Sequence, residues 1–227
     1  MLLAFETATR SASIALLAEG ECLVEEQLPR DRGAAEVLLP AVDAVLNRAG
    51  VRLDAVEAFA VSIGPGSFSG LRVGLATVKG LAFGTPRPVV AVPTLAALAR
   101  RVPDARDPVL ALLDARRGEL YAAAYDPGDW EPLGGLAEGV YTPEQLCERI
   151  RPPCVLVGEI GVAEQVRERL GEGVRLQPDR PSARCVAELG AELLARGEGV
   201  DAARLVPNYV RRADAEVKQT GLRFEGR

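Results

Sequence analysis

The chain has 227 residues, of which 48% are hydrophobic and 26% charged. That balance excludes a disordered polar chain and a disulfide miniprotein, and leaves room for one large domain or two small ones. The net charge of −5 and the pI of about 5.1 lack the basic footprint of a protein that binds nucleic acid on its own.

Histidine is absent from the sequence, which removes every mechanism that needs a His base, a His metal ligand or a Ser-His-Asp triad. No apolar run reaches the ~18 residues of a membrane span, and no basic segment precedes the first apolar stretch as in a secretory signal; the expectation is a cytoplasmic protein that meets no membrane. Cys22, Cys147, Cys154 and Cys185 form no Cys-x-x-Cys pair, so buried free thiols are expected rather than a zinc or redox centre.

Residues 2–5 are a continuous apolar run ending at Glu6, the pattern of a buried central strand. After a small polar turn over 7–11, residues 13–18 and 22–27 read as a hairpin. Residues 34–49 carry apolar side chains at helical spacing, closed by Gly50, with Pro40 placing the regular start near that residue or kinking the helix there. A strand over 58–63, a glycine-rich loop, a helix to about Phe83, a strand over 89–92 and a helix over 94–101 follow. Residues 103–108 are polar and proline-bearing, the candidate hinge. Beyond it, 109–113 is again an apolar strand ending in an acid, Asp114, then a tight turn at Arg116-Arg117-Gly118 and a strand over 119–125. The stretch 126–139 holds a loop and a weak third strand. A helix capped by Thr142 with Pro143 in its first turn comes next, then strands near 154–157 and 174–176 and helices near 162–170 and 182–195.

Both halves therefore read βββαβαβα, an α/β fold duplicated in topology. This order belongs with the actin-like fold of actin, sugar kinases and heat-shock chaperone ATPases, in two lobes. The expected division is an N-terminal lobe over 1–102, a C-terminal lobe over 108–211 and a tail over 212–227. Across 209–227 five Arg or Lys stand against three Asp or Glu, a local basic excess that suits a phosphate contact or a solvated tail.

Chemistry could sit at two places. The loop Gly64-Pro65-Gly66-Ser67-Phe68-Ser69-Gly70 lies between a strand and a helix, where glycines permit close backbone approach and the helix N-terminus offers N–H groups to an anion. It lacks the Gly-Lys-Ser/Thr end of a Walker A loop. Glu6, Thr7, Gly64, Gly66, Ser67, Ser69, Gly70 and Asp114 are thus the candidate nucleotide or phosphate residues. The alternative for the loop is a sharp turn whose glycines serve packing. Glu6 and Asp114 either hold a metal through water or each cap the turn that follows. Gly70, Gly74, Gly80 and Gly84 recur in the next helix, and each interior glycine costs ~1 kcal/mol relative to alanine; a second backbone close by, the sheet or a partner helix, would explain them.

Four segments occur in order: Glu6-Thr7-Ala8-Thr9; Gly64 through Leu71-Arg72-Val73-Gly74; Asp114-Ala115-Arg116-Arg117-Gly118-Glu119-Leu120-Tyr121; and Pro207-Asn208-Tyr209-Val210-Arg211. Together they closely resemble the TsaB family, the dimerisation subunits of the bacterial tRNA threonylcarbamoyladenosine complex, and the likeness spans nearly the whole chain. Many members carry Asp where this chain has Glu6, and a His-Ser/Thr pair where it has Gly33-Ala34. The resemblance implies a non-catalytic, actin-like subunit without a metal or a tightly bound cofactor. Its implied partners are the TsaD paralogue, which transfers threonylcarbamoyl to the adenosine beside the anticodon of tRNAs reading codons that begin with A, and the small ATPase TsaE. ATP or ADP would bind at the complex interface, and tRNA would be reached only through the complex. In the family the N-terminal helices pair with the paralogue or, in its absence, with a second copy; Val37, Leu38, Val42, Leu71, Val73, Gly74 and Val78 are the residues expected at that interface. Two other readings compete. One is a stand-alone actin-like ATP-binding enzyme using Glu6, Asp114 and the glycine loop. The other is a glycoprotease-like peptidase, against which the missing histidine and the missing Gly-x-Ser-x-Gly elbow both argue.

Overall fold

The computed structural model describes residues 1–29 and 31–211; the expected tail over 212–227 lies outside them. The described residues form two compact units, Met1–Ala97 with Pro181–Asn208, and Leu98–Arg180 with 209–211.

In the first unit β1 (Leu2–Glu6), wholly buried, is the middle strand. It pairs antiparallel with β2 (Ser13–Ala18) and parallel with β4 (Ala58–Gly64). With β3 (Glu21–Gln27) and β5 (Val89–Pro93) outside, the order is β3-β2-β1-β4-β5. Glu19 and Gly20, at φ 52° and 83°, make the two-residue turn of the β2–β3 hairpin, the left-handed pair that matches strand twist.

Strand residues alternate between two different covers. Leu3, Phe5, Ile14, Leu16, Phe59 and Val61 form one core with α1 (Ala34–Ala49) and α2 (Phe68–Ala82). Helix α1 covers the expected 34–49 and runs through Pro40, which therefore does not set its start. Pro40 is exposed, so the N–H it lacks leaves only a solvent-facing carbonyl unbonded. Gly50 closes the helix at φ 68°, as its position suggests.

The opposite face carries small residues, Ala4, Ala15, Ala58 and Ala60, all buried. Helix α6 (Ala183–Ala195) lies on it, against β1, β2, β4 and β5. The approach is so close that a Cβ on Gly190 would stand 2.6 Å from the Ala60 Cβ. Ser182 caps α6, the Ala183 N–H donates to Ser13 Oγ at 2.8 Å, and the Arg184 N–H donates to Glu25 Oε1 at 3.2 Å. The sequence reading assigns α6 to the C-terminal lobe; here it completes the first unit, because the alanine-lined face needs a cover that no nearer helix supplies. The division before the second sheet also falls between Ala97 and Leu98, within α3 (Thr94–Ala99), and not at 103–108.

The second unit repeats the topology. β6 (Val109–Asp114) is central, antiparallel to β7 (Leu120–Tyr125) and parallel to β9 (Cys154–Gly158). β8 (Gly139–Tyr141) and β10 (Val174–Pro178) flank them in the order β8-β7-β6-β9-β10. β1 and β6 thus hold the same place in two equivalent sheets, as the duplicated actin-like order requires. Leu110, Leu112 and Leu156 pack with Leu146 and Ile150 from the segment of α4 (Pro143–Arg149) and with Ala163 and Val166 of α5 (Ile160–Leu170). Thr142 and Gln145 close a reciprocal capping box at α4. None of the four cysteines is in a disulfide; Cys154 and Cys185 are buried, Cys22 and Cys147 half-buried.

Candidate functional site

Three of the four marker segments meet in the first unit. The turn after β1 lies across the start of α2, and the glycines there are the places where it does so. A Cβ on Gly66 would stand 2.3 Å from the Ala8 carbonyl oxygen, one on Gly70 2.1 Å from the Thr7 carbonyl oxygen, and one on Gly74 2.1 Å from Thr7 Oγ1. Real Cβ contacts are never so short, so the row at four-residue spacing exists to admit the turn. Gly64, at φ 122°, is approached by the Asn208 carbonyl, and the Asn208 N–H donates to the Ile63 carbonyl at 2.8 Å. Of the two readings of the loop, the geometry supplies a cause for packing. The Ser67 N–H donates to the Ala8 carbonyl at 2.7 Å, and Ser67 Oγ takes the Gly70 N–H at 3.3 Å. Two N–H groups that an anion would use are thus bonded within the unit, and Ser69 lies exposed in the first turn of α2.

Glu6 ends β1 fully buried. Its Oε1 accepts the Thr9 N–H at 3.1 Å, while Oε2 has no hydrogen-bond partner, and neither has the buried Thr7 Oγ1. Burial drives its carboxyl up from 4.5 to about 7, against the opposing hydrogen bonds of Ser62, Ala8 and Thr9. Asp114, at the same place in the second sheet, is exposed. Its Oδ1 accepts the Arg116 N–H at 2.6 Å, so this acid caps its own turn. Two acids equivalent in sequence pattern therefore occupy opposite environments. Among the described residues no group of three or more His, Cys, Asp or Glu is placed to hold a metal, and no helix is long and apolar enough to cross a membrane.

The fourth segment meets the third in the second unit. Arg211 donates through Nη1 to the Ala115 carbonyl at 2.6 Å and pairs with the Glu119 carboxylate. It holds both ends of the Arg116-Arg117-Gly118 turn.

The residues expected at a partner interface divide. Val37, Leu38, Val42, Leu71 and Val78 are buried in the first unit's own core, and Gly74 is pressed against Thr7. Only Val73 is partly exposed. A helical apolar stripe turns to the nearest sheet first, and spacing alone does not separate its inner rows from its outer ones. The outer row of α2 is instead Ser69, Arg72, Ala76 and Gly80, all exposed and three or four residues apart, and Phe83 at the helix's C-terminal cap is 87% exposed. On α1, which packs beside α2, Leu39 is 55% exposed. Nothing lies within 4 Å of a Cβ built on Gly80.

The family model described as TsaD, tRNA N6-adenosine threonylcarbamoyltransferase, matches residues 29–150. The tRNA threonylcarbamoyladenosine biosynthesis protein TsaB of Escherichia coli is 33% identical over 97% of this chain and 98% of its own. The protein of the same name from Bacillus subtilis is 30% identical over 96% of each. The crystal structure of an uncharacterized protein with similarity to peptidase YeaZ from Pseudomonas aeruginosa superposes with a TM-score of 0.79 at 37% identity, covering 92% of this chain and 99% of that one.

Proposed function

The chain belongs to the TsaB family of tRNA threonylcarbamoyladenosine biosynthesis proteins, and from that membership we propose that it is a non-catalytic subunit which binds a TsaD-type paralogue and enables threonylcarbamoyl transfer to the adenosine beside the anticodon. The observation that carries the proposal is the outer face of α1 and α2. Leu39 on α1, Val73, Ala76 and Gly80 on α2, and Phe83 at the C-terminal cap of α2 put apolar and small residues at the surface of these helices, with Phe83 and Leu39 largely in water. An apolar surface of this kind on a folded unit is the usual mark of a protein interface. Ala76 and Gly80 let a partner backbone come close, and Phe83 supplies an aromatic anchor of the type that dominates interface energies. The same face serves a second copy when the paralogue is absent.

The lack of any histidine also supports a supporting role beside a catalytic paralogue. The TsaE ATPase joins the assembly, ATP or ADP binds at the complex interface, and tRNA is reached through the complex. The test is association with the paralogue, followed by size exclusion with light scattering, for the wild-type chain and for Ala76→Arg and Phe83→Asp. Loss of association in both variants with unchanged circular dichroism is expected. Retained binding in both, or robust ATP turnover by the chain alone, overturns the reading.

A further inference from the structure

The turn between β6 and β7 carries a conformation that the scaffold role does not require. Arg116, Arg117 and Gly118 follow one another at φ 63°, 57° and 76°. Left-handed backbone crowds the Cβ of an L-residue, so glycine, asparagine or aspartate normally fills such positions. Among the described residues only Glu19 shares it outside glycine. Here two arginines in succession accept it, and both are exposed.

The turn is held from several sides. Asp114 Oδ1 takes the Arg116 N–H at 2.6 Å, the Glu119 N–H donates to the Arg116 carbonyl at 3.1 Å, and the Ala115 N–H donates to the Glu119 carbonyl at 3.0 Å. Arg211, whose side chain is only 12% exposed, bonds the Ala115 carbonyl and the Glu119 carboxylate. A largely buried arginine and two acids are thus committed to fixing a turn that presents two more arginines to water. Strain that the surroundings maintain is characteristic of positions selected for what they present.

The geometry points to this turn as a direct contact for the phosphates of the tRNA backbone. The inference rests on the proposed role in tRNA modification. Guanidinium is the side chain suited to bidentate phosphate contact, and two of them stand side by side on a turn whose backbone is already held. In a chain of net charge −5 such a cation pair is a local feature, fitted to a polyanion brought close by a larger assembly.

The experiment measures binding of an unmodified tRNA transcript by the assembled complex over a range of KCl concentrations. It compares wild type with the double variants Arg116→Gln/Arg117→Gln and Arg116→Gly/Arg117→Gly. Both variants are expected to bind several-fold more weakly, and the slope of log K against log salt should flatten by roughly 0.7–0.9 per lost phosphate contact. The glycine variant relieves the left-handed crowding, so its Tm should rise while tRNA binding falls; a purely structural turn would not separate the two. Unchanged tRNA affinity and slope in an intact complex overturn the inference. Loss of association with the paralogue also overturns it, by making the turn a protein contact. If the wild-type chain does not associate with the paralogue, the scaffold role falls instead, and the same comparison on the chain alone decides whether the turn binds RNA.

Discussion

Replacing Glu6 by Gln is expected to stabilise the protein in neutral and alkaline solution and to do nearly nothing in acid. The carboxyl titrates at an ordinary value of 4.5 when the chain is unfolded and at about 7 in the fold, because burial without a partner for Oε2 penalises its charge. At 1.36 kcal/mol per pKa unit, that difference corresponds to about 3 kcal/mol. Its sign follows from proton binding: between the two values the folded state holds the proton more tightly than the unfolded one, so stability falls as pH rises through this window. Below it the acid is neutral in both states and costs nothing; above about 7 the full penalty applies. Gln is neutral throughout, and its amide oxygen retains the acceptor that the Thr9 N–H needs. An imperfectly bonded amide N–H₂ offsets ~1 kcal/mol, leaving a net gain of ~2 kcal/mol at pH ~8 and a small loss at pH ~4. Urea unfolding of both proteins at these pH values measures the difference directly. A wild-type-to-variant gap of equal size at both values would show that folding does not raise the carboxyl's pKa, and would refute the reasoning.

Gly70→Ala and Gly74→Ala should each cost ~2–3 kcal/mol by urea unfolding, since the new Cβ meets Thr7 at 2.1 Å. Gly80→Ala, with open space around it, should instead stabilise α2 by up to ~1 kcal/mol. Ser13→Ala removes the acceptor of the buried Ala183 N–H and should lower stability by ~1–3 kcal/mol, with faster amide exchange at the start of α6. Arg211→Ala leaves the Ala115 carbonyl and Glu119 without their shared partner; limited proteolysis should then cut at 116–118.

Much of the fold was legible because it is written in local patterns. The apolar runs at 2–5 and 109–113 became equivalent central strands, and Gly50, Thr142 and Pro143 mark helix ends where they stand. What escaped was the choice of partner. The stripe of α6 is amphipathic but does not say which sheet it covers; the signal lay in the alanines of β1, β2 and β4, which leave room for a close helix. The glycine row of α2 announced a nearby backbone, yet spacing did not distinguish another chain from the Thr7–Ala8 turn of the same unit. The pattern of an apolar strand ending in an acid recurs at Glu6 and Asp114, whereas burial of one and exposure of the other depend on what folds over each strand end. The outer residues Leu39, Ala76 and Phe83 were passed over for the same reason: an apolar side chain reads first as core.

The return of α6 to the first sheet also sets an order of events during synthesis. The strands that it covers leave the ribosome early, but their cover is made only after residues 98–180 have emerged. Closing so long a loop costs little more than closing a short one, since the entropy grows only with the logarithm of length, so the finished protein loses little stability by this wiring. The nascent chain fares differently. At ~5–20 residues per second the second unit has its whole sheet available while the first still presents an uncovered strand face to its neighbours. The amino-terminal half is thus the last to be sealed, and a chain that stalls or is cleaved before Pro181 leaves its earliest strands exposed to aggregation.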